Sequence, residues 1–172
     1  AAADPAGNPP PRRLRAHRNN NSMMANIPRV SLANGVLFPL ISLGTGGYND
    51  SVAQDAFSIA LKLNFTAVDT ALDYGNQRGI ASAIAASGVA RHDLFVLSKV
   101  PGCGEAPIQP QTPEACFNAT RNALQTDLTQ LKLDYVDAML LHSPPTEPVS
   151  GCSTTEACAL ISAQWRAMAE VR

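Results

Sequence analysis

The sequence predicts an α/β fold on a parallel sheet, and three observations predict it. Short apolar runs alternate with amphipathic segments of helical period from residue 27 onward. Each apolar run ends in glycine or in polar residues. A tight-turn signal precedes the first repeat. Alternation of this kind yields parallel strands joined by right-handed helical crossovers.

The elements follow in order. "RVSLANGVLFP" sets Asn34-Gly35 between two short apolar runs, the strongest short-range signal for a β-hairpin. "LISLGTGG" is an apolar run ending in glycines, and a helix is predicted over 52–63. "AVDTALDYGNQ" opens with a short buried strand, "AVD", and ends in a loop before a helix over 78–87. "DLFVLSKV" is the third strand. A loop rich in proline and glycine then leads to Thr112-Pro113-Glu114, where threonine caps and proline occupies the first turn. That helix is predicted to reach Leu131, with Phe117, Leu124, Leu128 and Leu131 at helical spacing. "YVDAMLLHS" is the fourth strand. Ser153 and Glu156 form a capping box for a last helix.

Periodicity alone leaves a doubly wound sheet and a barrel both open. The strand ends separate them. Gly44-Thr45-Gly46, Asp69 with Tyr74, Lys99 and His142 all fall at the same edge. A barrel gathers adjacent strand ends into one ring, whereas a doubly wound sheet spreads them along a crevice.

Composition bounds the function. The 172 residues are 45% hydrophobic with a formal net charge of -1, which suits one soluble globular domain of cytoplasmic type. So balanced a charge offers no footprint for nucleic acid or for an anionic membrane. No apolar run approaches the roughly 20 residues that span a bilayer. Residues 1–24 are rich in Pro, Arg and Asn without apolar periodicity, and so are expected to be a disordered extension or a stretch upstream of a start at Met23 or Met24. They lack the apolar centre of a secretory signal. An organellar transit peptide is the alternative, which the prolines fit poorly. Residues 25–172 form the folded unit.

The polar strand ends carry a coherent chemistry. A lysine ammonium beside a phenol favours the phenolate. A carboxylate on the neighbouring strand keeps the lysine charged and in place. A histidine on the next strand relays a proton or orients a carbonyl. Together they describe a general acid aimed at a carbonyl oxygen, and such a site needs a reduced cofactor to bring the hydride. Taken singly, each residue has an ordinary reading: Asp69 caps a turn, Tyr74 packs, Lys99 is solvated and His142 sits in the core.

Three motifs carry a resemblance. They are Asp69-Thr70-Ala71-Leu72-Asp73-Tyr74-Gly75-Asn76, "LFVLSKV" around Lys99, and "LKLDYVDAMLLHSP" around His142. In this order they resemble the aldo-keto reductase superfamily, over residues 27 to 172. The resemblance implies a (β/α)8 barrel with a hairpin closing its bottom, binding NADP(H). It implies Tyr74 as proton donor, Lys99 and Asp69 as the groups that tune it, and His142 as the group orienting the carbonyl. Asp69, Thr45 and Gly46 would face the cofactor, and Tyr74 and His142 the substrate. Gln77 stands where many members have glutamate, a position peripheral to this set. A full barrel takes about 250 residues, so the expectation is an N-terminal hairpin plus four βα units, a partial barrel.

The activity so implied is NADPH-dependent reduction of an aldehyde or ketone to an alcohol, on a small carbonyl substrate. The alternative is a catalytically inactive half-barrel serving as a structural or regulatory subunit, with a protein partner covering its open edges. Cys103, Cys116, Cys152 and Cys158 lack Cys-x-x-Cys spacing, which argues against a metal site. They are expected to be free thiols in a reducing compartment, with two local disulfides as the alternative. Asn64-Phe65-Thr66 and Asn118-Ala119-Thr120 fit glycosylation sequons, a match short enough to arise by chance.

Overall fold

A computed structural model describes residues 27–104, 112–143 and 155–170. The expectations for residues 1–24 and for the Ser153–Glu156 capping box lie outside the described residues. Two short strands, β1 (Arg29–Ser31) and β2 (Leu37–Pro39), pair antiparallel with Val30 opposite Phe38. The connecting turn is longer than Asn34-Gly35 alone. The Gly35 amide donates to the Leu32 carbonyl, and the Leu32 amide to the Val36 carbonyl, both at 2.9 Å. Gly35 takes φ 82°, the left-handed position that this turn-plus-bulge requires.

Four parallel strands follow: β3 (Leu43–Gly44), β4 (Ala67–Asp69), β5 (Phe95–Val100) and β6 (Ala138–Leu141). Their spatial order is their chain order, β3-β4-β5-β6. A doubly wound sheet reverses order at its switch point, whereas a barrel does not. Sequential order therefore decides for the barrel type. Among the described residues the sheet is an arc that does not close.

The helices α1 (Asp50–Lys62), α2 (Gln77–Ser87), α3 (Pro113–Leu131) and α4 (Thr155–Glu170) pack successively on one another and cover one face of the arc. Asn49 caps α1 by accepting from the Val52 amide at 3.0 Å, and Thr112 caps α3 by accepting from Ala115 at 3.3 Å. Gly88, at φ 69°, ends α2. Ala53 and Phe57 of α1, Ile80 and Ala83 of α2, Val68 and Val96 form the core between helices and sheet. A second core joins Val100 to Cys116, Ala123 and Leu124 of α3 and to Leu160 and Ala163 of α4.

Side chains alternate along a strand. With Val68, Val96 and Val100 facing the helices, Ala67, Asp69, Phe95, Leu97 and Lys99 face the inside of the arc. Phe38 of the hairpin meets Phe95 edge to face at 5.2 Å, and Val36, Phe38 and Ala138 pack against the cluster of Ala67, Phe95 and Leu97. Ala67, Phe95 and Ala138 begin their strands, so the hairpin covers the N-terminal end of the arc. The C-terminal end stays open, and the polar residues lie there. No helix among the described residues is long and apolar enough to cross a membrane.

The cysteines correct an expectation. Cys103 and Cys116 form a disulfide, with Cα atoms 6.0 Å apart, and Cys158 is disulfide-bonded as well. Among the described residues no cysteine is free. The physical reason is placement: Cys103, just past the end of β5, lies against Cys116 in the first turn of α3, and both are fully buried there. Cys152 lies outside the described residues.

Candidate active site

β4 ends at Asp69, and β5 carries Lys99 one residue before its end. Parallel pairing sets Asp69 beside Leu97 and Lys99 beside Leu140, so the two side chains rise on the same inner face. The Lys99 ammonium donates to the Asp69 carboxylate, to the Thr70 carbonyl at 3.0 Å and to the Tyr74 hydroxyl at 3.4 Å. Only 12% of the lysine side chain is exposed. Three acceptors therefore fix a cation against the phenol in a largely dry place.

Tyr74 reaches this point because β4 runs into a 3₁₀ turn, Leu72–Tyr74, closed by Gly75 at φ 66°. His142 follows β6 directly. Its amide donates to the Val100 carbonyl at 2.8 Å, which extends the pairing with β5 by one step. The rings of Tyr74 and His142 meet edge to face at 5.5 Å. The structure thus brings Asp69, Tyr74, Lys99 and His142 together at the C-terminal ends of three adjacent parallel strands.

Of the three residues expected to face a cofactor, Asp69 holds Lys99 and Thr45 is fully buried. Its hydroxyl donates to the Asp69 carbonyl at 3.1 Å and its amide to the same oxygen at 3.0 Å. Gly46 is exposed, and a Cβ there would stand 3.4 Å from Cζ of Tyr74. Glycine therefore keeps the space beside the phenol open. An open pocket of about 750 Å³, lined by Gly47, Tyr48, Asn49, Ser51, Tyr74 and Gly75, continues from there. These residues fit the reactive end of a nicotinamide cofactor: a flat, uncharged ring has room beside the hydroxyl that would give the proton. Among the described residues no cluster of His, Cys, Asp and Glu could hold a metal ion.

Three contacts escaped the sequence reading. Asp73, one residue before Tyr74, approaches Nδ1 of His142 with both carboxylate oxygens at 3.0 Å. The signal was a carboxylate beside the tyrosine in one loop, but its partner lies 69 positions away. Asn76, read as part of a turn, is fully buried. It donates to the carbonyls of Thr45 at 2.8 Å and Tyr48 at 3.0 Å, and accepts from the Thr70 hydroxyl at 3.2 Å. It ties the Gly46 loop to the Tyr74 loop. Gln77, expected to be peripheral, is also fully buried, and its amide donates to the Ala71 carbonyl and to Asp127.

Known proteins resemble this chain in sequence and in fold. The chain is 34% identical over 125 residues to an aldo-keto reductase of Mycolicibacterium smegmatis, covering 73% of this chain and 41% of that protein. A Mycobacterium tuberculosis aldo-keto reductase is 37% identical over 120 residues, 70% of this chain and 39% of its own length. The crystal structure of an aldo/keto reductase from Brucella melitensis superimposes with a TM-score of 0.68 at 32% identity, covering 87% of this chain and 50% of that one. A Bombyx mori aldo-keto reductase in complex with NADP gives 0.66 at 26% identity, over 86% and 47%. The chain thus spans about two fifths of the length of these curated relatives and about half of these solved structures. Residues 40–172 match the Aldo/keto reductase family, and with the partial barrel and its strand-end cluster this places the chain in the aldo-keto reductase family.

Proposed function

We propose that the protein reduces an aldehyde or ketone to an alcohol, with NADPH as the hydride source. The observation that carries this is the Lys99 ammonium 3.4 Å from the Tyr74 hydroxyl, itself held by Asp69 and Thr70. A bound nicotinamide cofactor would supply the hydride to the carbonyl carbon. Tyr74 would give its proton to the carbonyl oxygen, and the adjacent ammonium would stabilise the phenolate left behind. His142, against the Tyr74 ring, would orient that oxygen. The products are the alcohol and the oxidised cofactor, and solvent returns the proton to Tyr74. The NADP bound by the Bombyx mori relative supports the cofactor choice.

Tyr74→Phe in the full-length protein tests it. Carbonyl reduction should fall by about 10²-fold or more, while cofactor binding, read from nicotinamide fluorescence, should survive. Near-normal turnover would mean that another group protonates the carbonyl.

A second reading is a non-enzymatic half-barrel within a larger assembly. Leu140 on β6 is 43% exposed and Trp165 on α4 is 54% exposed, which supports a protein surface covering that edge. Turnover lost in the Tyr74→Phe variant but present in the parent separates the two readings.

A further inference from the structure

The proton-donor reading leaves Asp73, the partner of His142, without a role. Both carboxylate oxygens of Asp73 lie 3.0 Å from Nδ1 of His142, with side-chain exposures of 31% and 26%. Asp73 sits in the turn that delivers Tyr74, so one turn presents the phenol and the carboxylate together. A carboxylate only accepts, so the ring nitrogen facing it carries the proton. In the neutral ring the other nitrogen, Nε2, is then a bare acceptor.

We propose that Asp73 is a positioning residue that fixes the proton on Nδ1 of His142, so that the neutral ring offers a substrate a bare Nε2. Donation from Nε2 to a carbonyl oxygen then requires a second proton on the ring. The two protonation states suit opposite ends of the reaction: the imidazolium donates to a carbonyl, and the neutral ring accepts from an alcohol hydroxyl. Among the described residues, the other charged and titratable groups facing the ring are Tyr74 from the same turn and, behind the phenol, Lys99 of β5 and Asp69 of β4. Lys99 is already engaged by Asp69. What the ring meets rests on the carbonyl-reduction reading; where its proton sits does not.

The tautomer is measurable by nitrogen NMR on the full-length chain with labelled histidine, at a pH where the rings are neutral. There are three histidines, and a His142→Gln spectrum identifies the signal. Wild type should show His142 protonated at Nδ1. Asp73→Leu should move the proton to Nε2, the form that free imidazole side chains favour. Asp73→Asn should keep it on Nδ1, because the amide oxygen accepts the same proton. A wild-type His142 protonated at Nε2, or an unchanged tautomer in a folded Asp73→Leu variant, overturns the assignment. If the leucine variant does not fold, the wild-type and asparagine spectra still decide it. In the active protein, Asp73→Leu should also weaken the alkaline loss of kcat/KM for reduction, since its neutral ring donates from Nε2. Absence of reduction in the wild type would overturn the functional reading, while the tautomer measurement still decides the role of Asp73.

Discussion

The side-chain amide of Gln77 donates a 2.9 Å hydrogen bond to Oδ1 of Asp127, joining the first turn of α2 to α3 through two fully buried side chains. Burial pushes the Asp127 carboxyl up from 3.8 to about 6, with Ser98 and Gln77 beside it pulling the other way. The unfolded chain therefore releases this proton near 3.8 and the folded chain near 6. Between those values the folded state holds more protons, so this group's contribution to stability falls as pH rises and is flat above about 6. That difference corresponds to on the order of 3 kcal/mol. Asp127→Asn removes the charge and keeps the shape. Its melting temperature should exceed that of the parent above about pH 6, with the gap closing toward about pH 4. A gap that does not change with pH would show that Asp127 does not titrate in this window.

The same pair explains why residue 77 is glutamine here. Glutamate would set a second buried carboxylate against Asp127 and leave the Ala71 carbonyl, now 2.5 Å from Gln77 Nε2, without its donor. Gln77→Glu should cost roughly 3 kcal/mol or more at neutral pH. Adding Asp127→Asn restores one amide against one carboxylate and should recover most of the loss. Chemical denaturation of the four proteins in the cycle checks this. Equal costs of Gln77→Glu in both backgrounds would show no coupling.

Much of this fold was legible because its signals are local. Thr112-Pro113 marks a helix start through its own capping bond, and "FVLSK" is a strand whichever neighbours it finds. The strand-end cluster was legible because parallel strands bring their C-terminal ends together whatever the loops between them do. What escaped depends on long-range placement. The partner of Gln77 is 50 positions away and that of Asp73 is 69. Thr45 was identifiable as a strand-end residue, but nothing local shows that its hydroxyl turns inward to the Asp69 carbonyl. The cysteines depended on how the loop returned to α3, which composition does not encode.

That loop return yields another prediction. The Cys103–Cys116 bridge closes a loop with a sequence separation of 13, for which chain entropy alone predicts about 3 kcal/mol. Gln164 of α4 clamps the same place: it accepts from the Cys103 amide at 3.0 Å and donates to the Pro101 carbonyl at 3.0 Å and the Thr120 hydroxyl at 3.1 Å. The loop should therefore stay docked when the bridge is lost. Replacing both cysteines by alanine should lower the melting temperature while leaving the near-ultraviolet circular dichroism largely native. Collapse of that signal would show that the bridge alone holds the loop.

Asn76 offers the sharpest test of how the site is held, because its role depends on donors rather than volume. Its amide nitrogen donates to the carbonyls of Thr45 and Tyr48, and its oxygen accepts from Thr70, from a side chain that is itself fully buried. Asn76→Ala removes the partner of the Tyr48 carbonyl and of the Thr70 hydroxyl, while the Thr45 carbonyl keeps the Tyr48 amide, and should cost about 2 kcal/mol. Asn76→Asp keeps the shape but turns a carboxylate toward two carbonyl oxygens, none of which can donate. At neutral pH the aspartate variant should be at least as destabilised as the alanine variant despite filling the same space. Lowering the pH protonates it and restores one donor, so its denaturation midpoint should recover relative to alanine under acid conditions. An aspartate variant clearly more stable than alanine at neutral pH would mean that packing, and not donation to the Gly46 loop, is what residue 76 supplies.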